Sequence, residues 1–284
     1  MVLLPMNEKT IQILLTNDDS IHSPGLWAAA EALDELGFVH VVAPQNQQTA
    51  TGHSMPIQTS GIIEQMTLNV NGRHWPVYAV DGSPGQAVLY GIFDVIKGQP
   101  DLVVSGINYG ENVGAAITIS GTVGAALEAA SLGIPALAVS MQTGTEHHLS
   151  LSQDINFGVA GYFTQVIAKA MLDKKLPGDV DVIKLDIPKS ATPETPWVIT
   201  RQSRKRYYLP KPAKRVSLSD RGPVGYEIRY DPEALEKDSD IYAVLVDEKV
   251  SVTPISIDMT SRTDFDKLKS LLMGSTKQEI DISS

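Results

Sequence analysis

The chain has no cysteine in its 284 residues. That excludes disulfide scaffolds, thiolate nucleophiles and cysteine-held zinc. It also suits a reducing cytoplasm, the expected location. No apolar run approaches the ~20 residues of a membrane helix, so no membrane partner is expected. Positive charge is in deficit: 23 Lys and Arg against 33 Asp and Glu leave a net charge of −10. That is the wrong sign for a non-specific nucleic-acid binder, and no nucleic-acid partner is expected. The segment Met1 to Thr10 has no leading basic region or credible cleavage site and reads as an untargeted N-terminus. No internal repeat is present. A composition of 43% hydrophobic and 20% charged residues is that of an ordinary globular protein with a sizeable core.

What is present is an alternation of strand-like and helix-like segments. Ile11–Thr16, Phe38–Ala43, Leu102–Ser105, Ala136–Ser140 and Val182–Ile187 read as strands. Pro24–Leu36, Pro84–Lys97, Thr122–Leu132 and Ile155–Leu172 read as helices, several with Pro at the start and Gly at the stop. Around Ile62–Val80 a hairpin is expected, with Asn71-Gly72 as its turn. The pattern predicts an α/β fold, a mostly parallel sheet with helices on both faces. After Pro188 prolines interrupt short β-like pieces, including Trp197–Thr200 and Tyr226–Tyr230. Ile241–Leu245 and Lys249–Pro254 read as paired strands, and Asp264–Met273 as a short helix. The expected organisation is a core over 1–190, a β-rich extension over 191–276, and a disordered tail over 277–284.

Three predicted strands end in polar clusters: Asn17-Asp18-Asp19, the segment Thr49-Ala50-Thr51-Gly52-His53-Ser54, and Ser105-Gly106-Ile107-Asn108. In a parallel sheet these ends share one edge, where open α/β sheets bind ligands. Adjacent carboxylates repel, and a divalent cation relieves the repulsion. An oxygen-only donor set suits Mg²⁺, Mn²⁺ or Ca²⁺ rather than zinc. Ser120-Gly121-Thr122 then opens a helix whose free N–H groups suit an anion, although Ser and Thr there also serve as plain caps. There is no Walker loop and no dinucleotide fingerprint. Cation plus phosphate points to metal-assisted phosphoester hydrolysis by an activated water. An aspartyl-phosphate phosphatase would separate its two Asp residues by one position, whereas Asp18 and Asp19 are adjacent.

At this density of motifs the chain resembles the SurE family, the stationary-phase survival proteins. The likeness is carried by Leu14-Leu15-Thr16-Asn17-Asp18-Asp19, Gly52-His53-Ser54, Val104-Ser105-Gly106-Ile107-Asn108, Ser120-Gly121-Thr122-Val123 and Gly133-Ile134-Pro135-Ala136. It is dense over 11–140 and thinner to about residue 258. The resemblance implies a three-layer Rossmann-like core, a C-terminal β extension exchanged between subunits, and a homodimer or homotetramer. It implies a 5′-nucleotidase, often with some 3′ activity, acting on nucleoside monophosphates with one Mg²⁺ or Mn²⁺ per subunit. The implied metal ligands are Asp18, Asp19, Thr49 and Asn108. Asn17, Ser105, Gly106, Ser120, Gly121 and Thr122 are the candidate phosphate or substrate contacts. His53 is a candidate for proton transfer beside the two aspartates, with a structural hydrogen bond as its alternative.

The chain departs from the family at Ser20, usually Gly, at Gln45-Asn46-Gln47-Gln48-Thr49, usually an acid with arginines and then Ser, and at Gln86, usually an acid. These changes motivate an alternative, a nucleotide- or phosphate-binding SurE-like protein with weak or altered phosphatase activity. His147 and His148 follow the Ala136–Ser140 strand and could sit near the same edge, with a solvated loop as the favoured reading. The basic run from Arg201 to Arg215, with Tyr207 and Tyr208, reads as a solvated or subunit-facing arm.

Overall fold

The computed structural model describes residues 10–274. The segment expected to be an untargeted N-terminus lies almost wholly outside them, as does the tail expected to be disordered. Strand β1 (Gln12–Thr16) is central, and its alternation builds both cores: Ile13 and Leu15 face one side, Leu14 the other. Helix α1 (Pro24–Leu33) starts on Pro24 and leads to β2 (Phe38–Pro44), which pairs parallel with β1. The predicted hairpin forms as β3 (Ile63–Val70) and β4 (Arg73–Val80), with Asn71 and Gly72 both at positive φ in its turn. Helix α2 (Pro84–Tyr90) continues as a π-helical turn over Gly91–Ile96, so the one helix expected over 84–97 changes its winding midway.

The chain then crosses to the other side of β1. Strand β5 (Leu102–Tyr109) pairs parallel with it, followed by α3 (Gly121–Ser131), β6 (Ala136–Met141), α4 (Gly158–Asp173) and β7 (Val182–Ile187). β5 runs four residues past its predicted end, with a register shift between Ser105 and Asn108. Beyond Pro188 come β8 (Trp197–Ile199), β9 (Tyr208–Lys211), β10 (Gly225–Ile228), α5 (Asp240–Leu245), β11 (Val250–Ile255) and α6 (Phe265–Gly274).

The nine-stranded sheet has the order β3-β4-β2-β1-β5-β6-β7-β11-β8. It is parallel except at β3–β4 and β7–β11. Helices α1 and α4 cover one face, α2 and α3 the other. This is the three-layer α/β fold that the alternation predicts. The edge strand β8 and its neighbour β11 belong to the core sheet although they follow residue 190. The expected strand at 241–245 is instead α5: Ser239 caps it by accepting from Tyr242 N. A satellite core of Val113, Tyr207, Leu235, Ile241 and Val244 fastens the hairpin β9–β10 and α5 to the loop after β5. No helix among the described residues is long and apolar enough to cross a membrane.

Candidate active site

The strand order turns in opposite directions from β1, to β2 on one side and β5 on the other. A crevice opens there outside the carboxyl ends of the strands. Asp18 and Asp19 leave β1 at this point, 4% and 1% exposed. Their turn depends on Asn17, whose carboxamide accepts from Ser20 N at 3.2 Å and donates to Ser20 O at 3.0 Å. Those bonds hold Ser20 at φ +101°, a left-handed conformation that favours glycine. Asn17 thus spends its polar groups on the loop and does not line the cavity.

Asp18 Oδ1 accepts from Thr122 Oγ1 at 2.5 Å. Asp19 Oδ2 accepts from Tyr109 N at 3.2 Å, and its Oδ1 from Gln47 Nε2 at 2.9 Å. No cationic side chain pairs with either carboxylate among the described residues. Burial therefore raises both carboxyls above their ordinary value, Asp19 further because Asp18 adds like-charge repulsion. No third acid or histidine joins them among the described residues, so the remaining donors are neutral oxygens. Asn108 supplies one: its Nδ2 donates to Gly110 O at 2.7 Å, while its Oδ1 accepts no bond among the described residues. Thr49, exposed in the loop after β2, supplies a hydroxyl on the same cavity. Two buried, uncompensated carboxylates with neutral oxygens around them fit a hard divalent cation.

The helix start lies directly against Asp18. A Cβ on Gly121 would sit 2.7 Å from Asp18 Cβ and 2.9 Å from its Oδ2, so only glycine allows this approach. Ser120 caps α3 by accepting from Val123 N at 3.1 Å. The amides of Gly121 and Thr122 precede the intrahelical ladder and carry the positive end of the helix dipole. Ser120 lines the cavity. Thr122 is fully buried with its hydroxyl on Asp18, so its side chain orients a carboxylate. Ser105 is fully buried inside β5 and does not line the cavity. Gly106 has φ +135°, and a Cβ there would meet Val139 O at 2.3 Å, so it lets β5 and β6 approach.

His53 is drawn away from this cluster. Its Nε2 meets Glu128 Oε2 on α3 at 2.5 Å, its side chain is 39% exposed, and it does not line the cavity. Gln86, read as a lost acid, completes a capping box with Ser83 and reaches Pro56 O at 2.9 Å.

The cavity, about 300 Å³, extends from Asp18, Asn108 and Ser120 to a wall of His148, Tyr208 and Tyr226, with Arg206 at its side. His148 is 7% exposed, contrary to the solvated loop expected for it. Its Nδ1 meets Tyr226 OH at 2.8 Å and its ring stacks on Tyr226 at 17°. Burial lowers its pKa and favours the neutral imidazole. Tyr208 OH donates to Glu111 O at 2.9 Å, and Tyr207 OH to the Glu111 carboxylate. Sequence reasoning placed His148 near this edge but favoured a solvated loop for it, and gave Gln47 no role at the site. Their partners lie far along the chain, and only the fold pairs them.

Fold and site together define a doubly wound α/β protein with an acidic, oxygen-lined floor at its switch point. The family model described as "Survival protein SurE" matches residues 13–209. "5′-nucleotidase SurE" of Thermococcus gammatolerans is 42% identical over 94% of this chain and 98% of its own length. Its namesake in Thermococcus kodakarensis is 41% identical over 92% and 98%. The crystal structure of the SurE protein from Aquifex aeolicus superposes with a TM-score of 0.71 at 31% identity, over 93% of this chain and 99% of that one. The chain belongs to the SurE family.

Proposed function

We propose that this protein is a divalent-metal-dependent phosphomonoesterase, a 5′-nucleotidase acting on nucleoside monophosphates. The observation that carries this reading is the buried Asp18–Asp19 pair, without a cationic partner among the described residues and set against the start of α3. Asp18, Asp19, Asn108 and Thr49 would hold one Mg²⁺ or Mn²⁺. A cation there supplies Lewis acidity toward phosphoryl oxygens and lowers the pKa of a water. The backbone amides of Gly121 and Thr122 and the hydroxyl of Ser120 bind the phosphate and offset its charge. Thr122 fixes the rotamer of Asp18, and Gln47 that of Asp19. The ring faces of Tyr208 and Tyr226 receive the base. With their hydroxyls engaged elsewhere, they bind by stacking rather than by reading the base's edge.

The family name of the relatives at 42% and 41% identity supports the same reaction. Phosphate release from a nucleotide panel with Mn²⁺ tests it. Equal release in EDTA, or by Asp18→Asn, would sink it.

Assembly belongs to this proposal as well. The exposed Val216, Leu218 and Val224 between β9 and β10, and Phe265, Leu271 and Leu272 on α6, support a homodimer or homotetramer joined through the extension. Light scattering on the full chain decides the count. A cysteine-free chain acting on nucleoside monophosphates suits the cytoplasm.

A further inference from the structure

Gln47 is half-buried in the loop after β2, and its single amide nitrogen serves two acceptors. It donates to Asp19 Oδ1 at 2.9 Å and to the backbone oxygen of His148 at 3.0 Å. These acceptors belong to opposite halves of the cleft. Asp19 is buried next to Asp18, which lines the floor. His148 is bound and stacked to Tyr226, which packs edge-on against Tyr208 at 5.4 Å. Tyr208 reaches back to Glu111 O, two residues beyond the Tyr109 amide that holds Asp19. The contacts close into a ring, and Gln47 is its direct link from carboxylate to aromatic wall.

The loop does not need this side chain to stay in place. Its backbone is anchored independently by Gln45 N on Val80 O, Gln48 N on Asp18 O and Gly52 N on Ile119 O, at 2.8, 2.7 and 3.0 Å. The chemistry of an amide is also suited to the bridge. It offers two N–H donors without charge, so it orients a carboxylate without neutralising it against a cation. A lysine or arginine there would compete with the cation, and a glutamate would repel Asp19.

We infer that Gln47 is a positioning residue that couples the two halves of the cleft. By holding Asp19 and His148 at once, it makes cation binding at the floor and ring stacking at the wall favour each other. The inference rests on the metal-dependent nucleotidase reading above. Coupling of this kind is reciprocal, typically about 5- to 150-fold.

The test uses Mn²⁺ and adenosine as probes, because adenosine has no phosphate to touch the cation. Calorimetry on the full wild-type chain is expected to show Mn²⁺ tightening adenosine binding by about 5-fold or more. Gln47→Met keeps the side-chain length and loses both donors. It is expected to weaken Mn²⁺ binding about 10-fold and to abolish the response of adenosine to Mn²⁺. Tyr226→Phe removes the hydrogen bond to His148 without touching the loop, while the stacked ring remains. It is expected to leave Mn²⁺ affinity unchanged while reducing the same response. This second variant keeps the test decisive if Gln47→Met fails to fold. Wild-type coupling that survives undiminished in either folded variant overturns the inference alone. A wild type that binds no Mn²⁺ overturns the reading of the cation site and this inference with it.

Discussion

Thr122, at the start of α3, donates its hydroxyl to Oδ1 of Asp18 at 2.5 Å, joining residues 104 apart in the chain. Both groups are buried, so the bond fixes one carboxylate rotamer rather than exchanging with water. Thr122→Val keeps the shape and removes the donor. Partners that orient ligands typically contribute 10–100-fold, so Mn²⁺ affinity and kcat/KM are expected to fall by about that factor. Thr122→Ser should recover most of the loss. Calorimetry and nucleotide assays on the two variants check this. Equal defects in both would point to packing rather than to the hydroxyl.

Burial sets a pH dependence for the metal-free protein. In the folded chain Asp19 titrates at about 8 and Glu111 at about 7, against ordinary values of 3.8 and 4.5. The folded state therefore binds more protons than the unfolded state between those limits. Stability must fall as pH rises through them. His40 and His148, lowered by burial, act in the opposite sense, but only up to about 6.5. Above pH 7 the carboxyls act alone. In EDTA the Tm is expected to drop from pH 7 to pH 8.5, and Asp19→Asn to remove most of that drop. Mn²⁺ should raise the Tm more at pH 8.5 than at pH 6, because its ligands must be deprotonated. Thermal scans at the three pH values measure both effects.

His53 provides a sharp negative prediction. It follows the Thr49 loop closely in sequence, yet its ring pairs with Glu128 outside the cavity. A general acid or base contributes roughly 10²–10⁴-fold. His53→Ala is instead expected to change kcat by less than about 5-fold, far below that range. A drop of a hundredfold or more, with the Tm unchanged, would return His53 to the chemistry.

Most of the core layout could be read from the chain because its signals are local. The alternation of Ile13, Leu14 and Leu15 determines the two faces of β1, and Asn71-Gly72 determines the hairpin. The short apolar run Ile241–Leu245 was ambiguous, since periodicity alone does not separate a short strand from a helical turn. The decisive clue was Ser239 as a cap. The end of β5 escaped because Ser105-Gly106-Ile107-Asn108 breaks the apolar pattern while the backbone continues the strand. The carboxylate floor followed from strand-end logic. The aromatic wall did not: His148 meets Tyr226, 78 residues later, and Tyr208.

That wall makes the last prediction, which separates base recognition from phosphate chemistry. Tyr226 and Tyr208 stand in the cavity with Asp18 and Ser120, and their hydroxyls are engaged with His148 and Glu111. Aromatic stacking on a base contributes roughly 1–3 kcal/mol, so Tyr208→Ala is expected to raise KM for AMP about 5- to 150-fold. For p-nitrophenyl phosphate, whose single small ring spans less of the cavity, the rise should be several-fold smaller. Because stacking reads the face and not the edge of the base, the variant should lose affinity for purine and pyrimidine nucleotides together, purines more because of their larger face. Steady-state kinetics on AMP, CMP and p-nitrophenyl phosphate decide it. An equal loss on all three would mean that the tyrosine supports the floor and not the base.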